Sequence, residues 1–485
     1  MANVDNDLFF APISELNRRL VSKEISAEAL TRAFSQRLEQ LGPRYNALAL
    51  PLPQHAIRKA QEVDKDIKRG RLRGPLQGIP YGVKDLLSFA GEPTTWGAKP
   101  YAAQVFDYSA TVIQKLSGVG AVLTGKLAMV ELAGGGGYRY ASASLTGPGL
   151  NPWDRTRWSG GSSSGSAAAV AAGLVPFAIG SETSGSIVTP ASYCGVTALR
   201  PTYGLVSRYG AMALSWTLDK LGPFGRSAED CGLILRVIAG KDGKDPGSAG
   251  KSFYYTPQYA RALKDLRIGY APVDFAERAE PSARPAFEAA LGALKEAGAQ
   301  LVETKLPAFP YGPALSTILA AEQASIFEPL ITSGKVDELA DKAQIAGLKA
   351  SLETAAKDYL KAMRLRRLMQ KAFADMFAGV DALISPGRTG PATRIDQPLS
   401  PLPGAAPPAP SPAPSNPGFA ALIPACNLAG VPALVFPCGF AENLPVALQV
   451  VGAPFSENML LSIGREFQAR TDWHKRRPPS AAPPA

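Results

Sequence analysis

Histidine is nearly missing from this chain of 485 residues; there are two, His55 and His474. Any mechanism that needs an imidazole base must use one of them. Cysteine is almost as scarce. Cys194, Cys231, Cys426 and Cys438 lie far apart with no C-x-x-C spacing, which speaks against a disulfide framework or a cysteine zinc site and for buried free thiols. No stretch reaches about eighteen uninterrupted apolar residues. The opening MANVDNDLFFAPISELNRRL has neither a basic leader nor an apolar h-region. The expectation is a cytoplasmic protein with no membrane partner.

A hydrophobic fraction of 46% supplies ample material for a core. The net charge of +10 raises the question of an RNA partner, but the cations are scattered among acids. The densest run, RKAQEVDKDIKRGRLRG from Arg58 to Gly74, contains Glu62, Asp64 and Asp66. That mixture reads as a solvated helix face, so a nucleic-acid partner is not expected.

Residues 1–70 read as a helical lead-in. PISELNRRL and SAEALTRAFSQRLEQL carry apolar residues at three-to-four spacing, with Ser14 and Ser26 placed to cap them. From Gly78 short apolar segments alternate with glycines, as in GIPYGVKDLL and GAVLTGKL. LRIGYAPVDF is strand-like, ARPAFEAALGALKEAGAQ is an amphipathic helix, and ALVFPCGF and PVALQVVGAP are apolar strands. This alternation predicts an α/β protein, one large domain over 71–475 with a mixed, largely parallel sheet covered by helices. The proline-rich segment 398–418 is expected to be an extended loop and 476–485 a loose tail.

Three serine or phosphate motifs compete in one region. Gly160 to Ser166, GGSSSGS, contains G-x-S-x-G and would make Ser163 the nucleophile of an elbow with His474 as base. The segment before it, LNPWDRTRWSG, has little β character, whereas the elbow needs a strand there. A phosphate loop needs lysine after Gly165, and Ser166 stands there. S-x-x-K occurs once, Ser248 to Lys251, without its companion motifs. A second cluster, GSETSGS from Gly180 to Ser186, follows the first, and Lys84 precedes both. With no suitable histidine, lysine is the remaining plausible base.

The blocks GIPYGVKDLLSFAGEPTTWGAK, NPWDRTRWSGGSSSGSAAAVAAGLVPFAIGSETSGSIVTPASYCGVTALRPTYGLVSRYG and NLAGVPALVFPCGFAENLPVALQVVGAPF resemble the amidase signature family of serine hydrolases. The resemblance implies that family's fold, no cofactor and no metal. It also implies a catalytic set of Ser186 as nucleophile, Ser162 as a serine entered through a cis peptide bond, and Lys84 as base. The family's two serines lie 24 residues apart, as Ser162 and Ser186 do. The same resemblance gives an oxyanion hole from the N–H groups of Thr183, Ser184, Gly185 and Ser186. A serine hydroxyl needs a positioned base, and a lysine amine can serve if burial lowers its pKa.

Several residues depart from the family pattern: Ser164 and Ser184 replace glycines, Glu182 an aspartate and Val188 an arginine. The implied reaction is hydrolysis of carboxylic amides, extending to anilides, esters or carbamates, through an acyl-enzyme on Ser186. Trp96, Met129, Tyr138 and Tyr140 are candidate pocket residues for a small, uncharged and partly aromatic amide. The run Gly134 to Gly137 is a candidate mobile loop. The rival within the family is the glutamine-hydrolysing subunit of a tRNA-dependent amidotransferase, which needs partner subunits and ammonia transfer. Rivals of other classes are the Ser163/His474 esterase and a non-catalytic binding protein.

Overall fold

The computed structural model describes residues 6–399 and 417–479. Most of the proline-rich segment and residues 480–485 of the tail lie outside the described residues.

The helical lead-in forms where its apolar spacing predicts. In the helix Ala27–Leu41, the residues Ala27, Leu30, Phe34, Leu38 and Leu41 are buried. Ser26 caps this helix, its Oγ accepting from Ala29 N at 3.0 Å. The Asp64 carboxylate takes the N–H groups of Ala27 and Glu28 at 2.7 and 3.0 Å, so the helix start is tied to the next helix, Pro53–Lys68. Ser14 does not cap; Pro12 occupies that position before the helix Ile13–Val21, because proline already carries the required φ and leaves no N–H to satisfy. The lead-in is also not wholly helical. Leu48–Pro51 is a strand, β1, too short between two helices to show a period in sequence.

The remaining strands are β2 (Pro80–Lys84), β3 (Val122–Leu127), β4 (Phe177–Glu182), β5 (Thr197–Arg200) and β6 (Lys220–Gly225). They continue with β7 (Arg267–Tyr270), β8 (Gln300–Glu303), β9 (Ala382–Pro386), β10 (Ala433–Ala441) and β11 (Leu444–Gly452). Among the described residues all eleven strands join one mixed sheet in the order β1-β3-β2-β4-β6-β5-β10-β11-β9-β7-β8. The parallel pairs lie toward its two ends, β3-β2-β4 and β9-β7-β8. The intervening strands pair antiparallel. β10 and β11 form a hairpin whose two connecting residues, Glu442 and Asn443, both have positive φ, the turn that matches strand twist.

Every residue of β2, β3 and β4 is buried, as expected for strands covered on both faces. The helix Ser164–Ala171 is built of small residues and is buried along its whole length. Smallness is required there: a Cβ on Gly165 would stand 2.5 Å from both Ala128 N and Ala47 O. Serine, glycine and alanine let this helix run closer to the sheet than larger residues could. The result brings the C-terminal ends of β2 and β4 and the loop 160–163 to one point.

Candidate active site

Lys84 is the last residue of β2 and is fully buried. β2 and β4 pair in parallel with Val83 opposite Ile179, which sets Lys84 beside Ser181 near the end of β4. Its Nζ lies 2.7 Å from Ser162 Oγ, 2.9 Å from Ser181 Oγ and 3.1 Å from Ser163 Oγ. The Gly161–Ser162 peptide bond is cis, and the Ser162 carbonyl accepts from Val130 N at 3.1 Å. The Ser163 hydroxyl donates to the Ser181 carbonyl at 3.1 Å, so it accepts from Lys84. Burial pushes the Lys84 amine down to about 7, against weaker support for its charge from Asp219 and Glu182. A neutral amine offers two N–H donors and one lone pair. With Ser163 accepting, the lone pair is left to receive a proton from Ser162 or Ser181.

Ser186 sits on the turn between β4 and the helix Val188–Cys194. Gly185 reaches φ +86° there, a conformation that suits glycine. The main-chain N–H groups of Ser184, Gly185 and Ser186 donate to no protein acceptor among the described residues. N–H groups grouped in this way suit an oxyanion. The next two N–H groups, of Ile187 and Val188, are held by Glu182 Oε2 at 2.8 and 3.0 Å. Glu182 Oε1 accepts from Arg200 Nη1 at 2.7 Å and from Asn427 Nδ2 at 2.8 Å. The extra methylene relative to aspartate reaches both partner sets. Despite burial, the Arg200 guanidinium and the Asn427 amide hold this carboxylate down at about 2. Val188 is fully buried among Ile187, Ala191 and Cys194, a place for an apolar side chain. Ser164 starts its helix and Ser184 is half-buried.

A cavity of about 520 Å³ opens beside Ser181 and Thr183, walled by Met212, Leu214, Trp216, Tyr209 and Arg208. Asp219 ties that wall to the turn: Oδ1 accepts from Thr183 Oγ1 at 2.6 Å, and Oδ2 from Leu214 N and Ser215 N at 2.8 and 2.9 Å.

The expected aromatic pocket is not this cavity. Trp96 packs against Tyr101 with ring centroids 4.5 Å apart and the rings tilted by 49°, and Met129 is fully buried in the core. Tyr140 is exposed beside Arg139. Their positions follow from packing between loops that sequence spacing does not describe. Tyr138 alone comes close to the serines: a Cβ on Gly161 would stand 2.9 Å from its hydroxyl. The Gly134 to Gly137 run is tied down, with Gly136 N donating to Gln323 Oε1 at 2.8 Å.

The elbow reading fails on geometry. Residues 151–163 contain no strand, and Ser163 is fully buried with its hydroxyl committed to Lys84 and Ser181. His474 lines another cavity, with Arg465 and Glu466, and burial lowers its pKa to about 4. The residues that sequence reasoning missed are Ser181, Glu182 as an anchor, Arg200, Asn427 and Asp219. Ser181 and Glu182 lie inside the GSETSGS cluster; nothing local marks the other three.

A buried lysine thus meets three serine hydroxyls, and the turn that carries Ser186 holds unclaimed N–H groups. The family model described as Amidase matches residues 29–461, and the chain belongs to the amidase family. It is 38% identical to the A subunit of a glutamyl-tRNA(Gln) amidotransferase from Synechococcus sp., covering 97% of this chain and 94% of the relative. It is 37% identical to the subunit of the same name from Chloroflexus aggregans, covering 97% and 99%. Among solved structures, the native peptide amidase from Stenotrophomonas maltophilia superposes with a TM-score of 0.82 at 31% identity, covering 97% of this chain and 98% of the other. These relatives correct the partner expectation. A small uncharged amide as sole partner, with nucleic acid set aside, does not fit nearly full-length relatives named as one subunit of a glutamyl-tRNA enzyme. Scattered surface charge was a poor guide to partners, because it reports only on this chain's own surface. Among the described residues no helix is long and apolar enough to cross a membrane.

Proposed function

We propose that the chain is the glutamine-hydrolysing subunit of a tRNA-dependent amidotransferase, releasing ammonia for transfer within a larger assembly. The observation that carries this reading is the similarity to subunits of that name over 97% of the chain, at 94% and 99% of their own length. A tRNA substrate puts the chain in the cytoplasm.

In the proposed mechanism Ser186 Oγ attacks the side-chain carboxamide and Ser162 passes the nucleophile's proton to the neutral Lys84 amine. The N–H groups of Thr183, Ser184, Gly185 and Ser186 receive the oxyanion. The proton returns through Ser162 to the departing ammonia, and water attacks the acyl-enzyme by the same relay. The 2.7 Å contact between Lys84 and Ser162 supports the relay, and the lowered lysine pKa supports its direction.

The test is ammonia release from L-glutamine by the chain alone and after reconstitution with the partner subunits of such an amidotransferase and glutamyl-tRNA. The expected result is turnover that the assembly and its tRNA accelerate. Rapid cleavage of peptide amides by the lone chain, with no glutamine turnover in the assembly, overturns the proposal.

A further inference from the structure

The turn that carries Ser186 begins where β4 leaves the sheet. β4 and β6 pair antiparallel with Glu182 opposite Lys220. Continued by one residue, that register sets Thr183 opposite Asp219, and Thr183 Oγ1 donates to Asp219 Oδ1 at 2.6 Å, the length of a charge-assisted bond. On the far side of the turn Glu182 Oε2 holds the N–H groups of Ile187 and Val188. Between these two anchors lie the N–H groups of Ser184, Gly185 and Ser186, unclaimed among the described residues.

Asp219 is itself held. Its Oδ2 accepts from Leu214 N and Ser215 N at 2.8 and 2.9 Å, and its N–H donates to the Ser215 carbonyl at 3.0 Å. The segment 214–217 is fixed in turn to other parts of the chain. Thr217 Oγ1 donates at 2.9 Å to the buried Glu322, on the helix Tyr311–Thr332. Arg366 Nη2, on the helix Ala356–Phe377, donates to the Thr217 carbonyl at 2.7 Å. Tyr203 Oη donates to the Trp216 carbonyl at 2.7 Å. A bond to a mobile partner would restrain little, whereas a carboxylate gripped by several rigid elements removes freedom from whatever it holds.

We infer that Asp219 is a positioning residue for the hydrolytic step. Through Thr183 it fixes the turn 183–186 against the wall 214–217, so that the unclaimed N–H groups converge before the oxyanion forms; it touches no reacting atom itself. Donors aimed in advance leave no reorganisation to the moment of reaction, which is the source of their strength. This role rests on Ser186 as the nucleophile and not on which amide is cleaved.

Saturation kinetics of fluorophosphonate labelling test it in the lone chain, because the reagent's phosphoryl oxygen takes the place of the oxyanion. Labelling yields a reversible binding constant, KI, and a covalent rate, kinact. Thr183→Val keeps the side-chain shape and removes the hydroxyl, while Leu214 and Ser215 still hold the carboxylate. Its kinact is expected to fall about ten- to a hundredfold with KI little changed. Thr183→Ser, which still donates, is expected to recover most of the rate. Asp219→Ala is expected to lose at least as much as Thr183→Val, and the double variant no more than Asp219→Ala, since both substitutions break one link. Should Asp219→Ala not fold, Thr183→Val against Thr183→Ser decides. A Thr183→Val protein with the parent's kinact, a loss that falls on KI instead, or losses that multiply in the double variant overturn the inference. Labelling of the parent at a serine other than Ser186, mapped by peptide mass, refutes the nucleophile and the inference with it. The expected losses with the label on Ser186, but no ammonia release by the assembly, leave the role of Asp219 standing and refute the glutamine-hydrolysing function.

Discussion

Lys84 makes the strongest pH prediction. Its amine falls from 10.5 to about 7 because burial in the ends of β2 and β4 removes water from the charged form. At about 1.4 kcal/mol for each tenfold change in the proton equilibrium, that is about 5 kcal/mol against the ammonium in the folded state. Two consequences follow with fixed sign. The base is the neutral amine, so kcat/KM rises with pH, reaches half its plateau near 7 and stays high above it. For stability, the unfolded lysine binds its proton up to 10.5 while the folded one releases it near 7. The penalty is therefore full below 7 and relieved as pH rises from 7 toward 10.5. Lys84→Met removes it. The difference in unfolding free energy between variant and parent should shift by about 2 kcal/mol in favour of the parent between pH 7 and pH 9. Urea denaturation at each pH measures this. Lys220 is also buried and lowered to about 7, but it donates to the Leu218 carbonyl and to none of the serines. Lys220→Met is thus the control, expected to keep the activity inflection that Lys84 causes. A rate profile flat from pH 6 to 9, or a stability difference that does not move with pH, refutes the reasoning.

Three further outcomes are expected. A fluorophosphonate should label Ser186, mapped by peptide mass; Ser163→Ala should still be labelled there, whereas Lys84→Ala should slow labelling about a hundred- to ten-thousandfold. Glu182→Gln leaves the Arg200 guanidinium buried without its anion and should cost about 3–5 kcal/mol in urea unfolding. The parent's carboxylate is held at about 2, so its contribution is present above the ordinary carboxylate pKa and lost as pH falls toward 2; a pH-independent difference would contradict this. Gly165→Ala puts a Cβ 2.5 Å from the Ala128 and Ala47 backbones and should lower stability by about 1–3 kcal/mol, measured by the same denaturation.

The sequence by itself was legible in its repeated and local features. Apolar spacing marked Ala27–Leu41 and Arg284–Glu296 as helices, and largely apolar runs marked β10 and β11, because each pattern reports a face that must leave water. The two serine-glycine clusters and Lys84 pointed to one region by resemblance. Spacing along the chain could not show that Lys84 meets Ser162, 78 residues later, at 2.7 Å; that meeting depends on β2 and β4 pairing in register. The candidate pocket residues show the same limit, since Trp96 and Met129 are placed by loops packing on one another rather than by any period. Asp219 and Glu322 carried no signal at all. Their partners come from Thr183, Leu214 and Thr217, and only the folded chain brings those groups close while excluding the water that would otherwise weaken every contact between them. Chemistry of the residue types is written in the sequence; distance and dehydration, which turn an ordinary lysine into a base, are set by the tertiary structure.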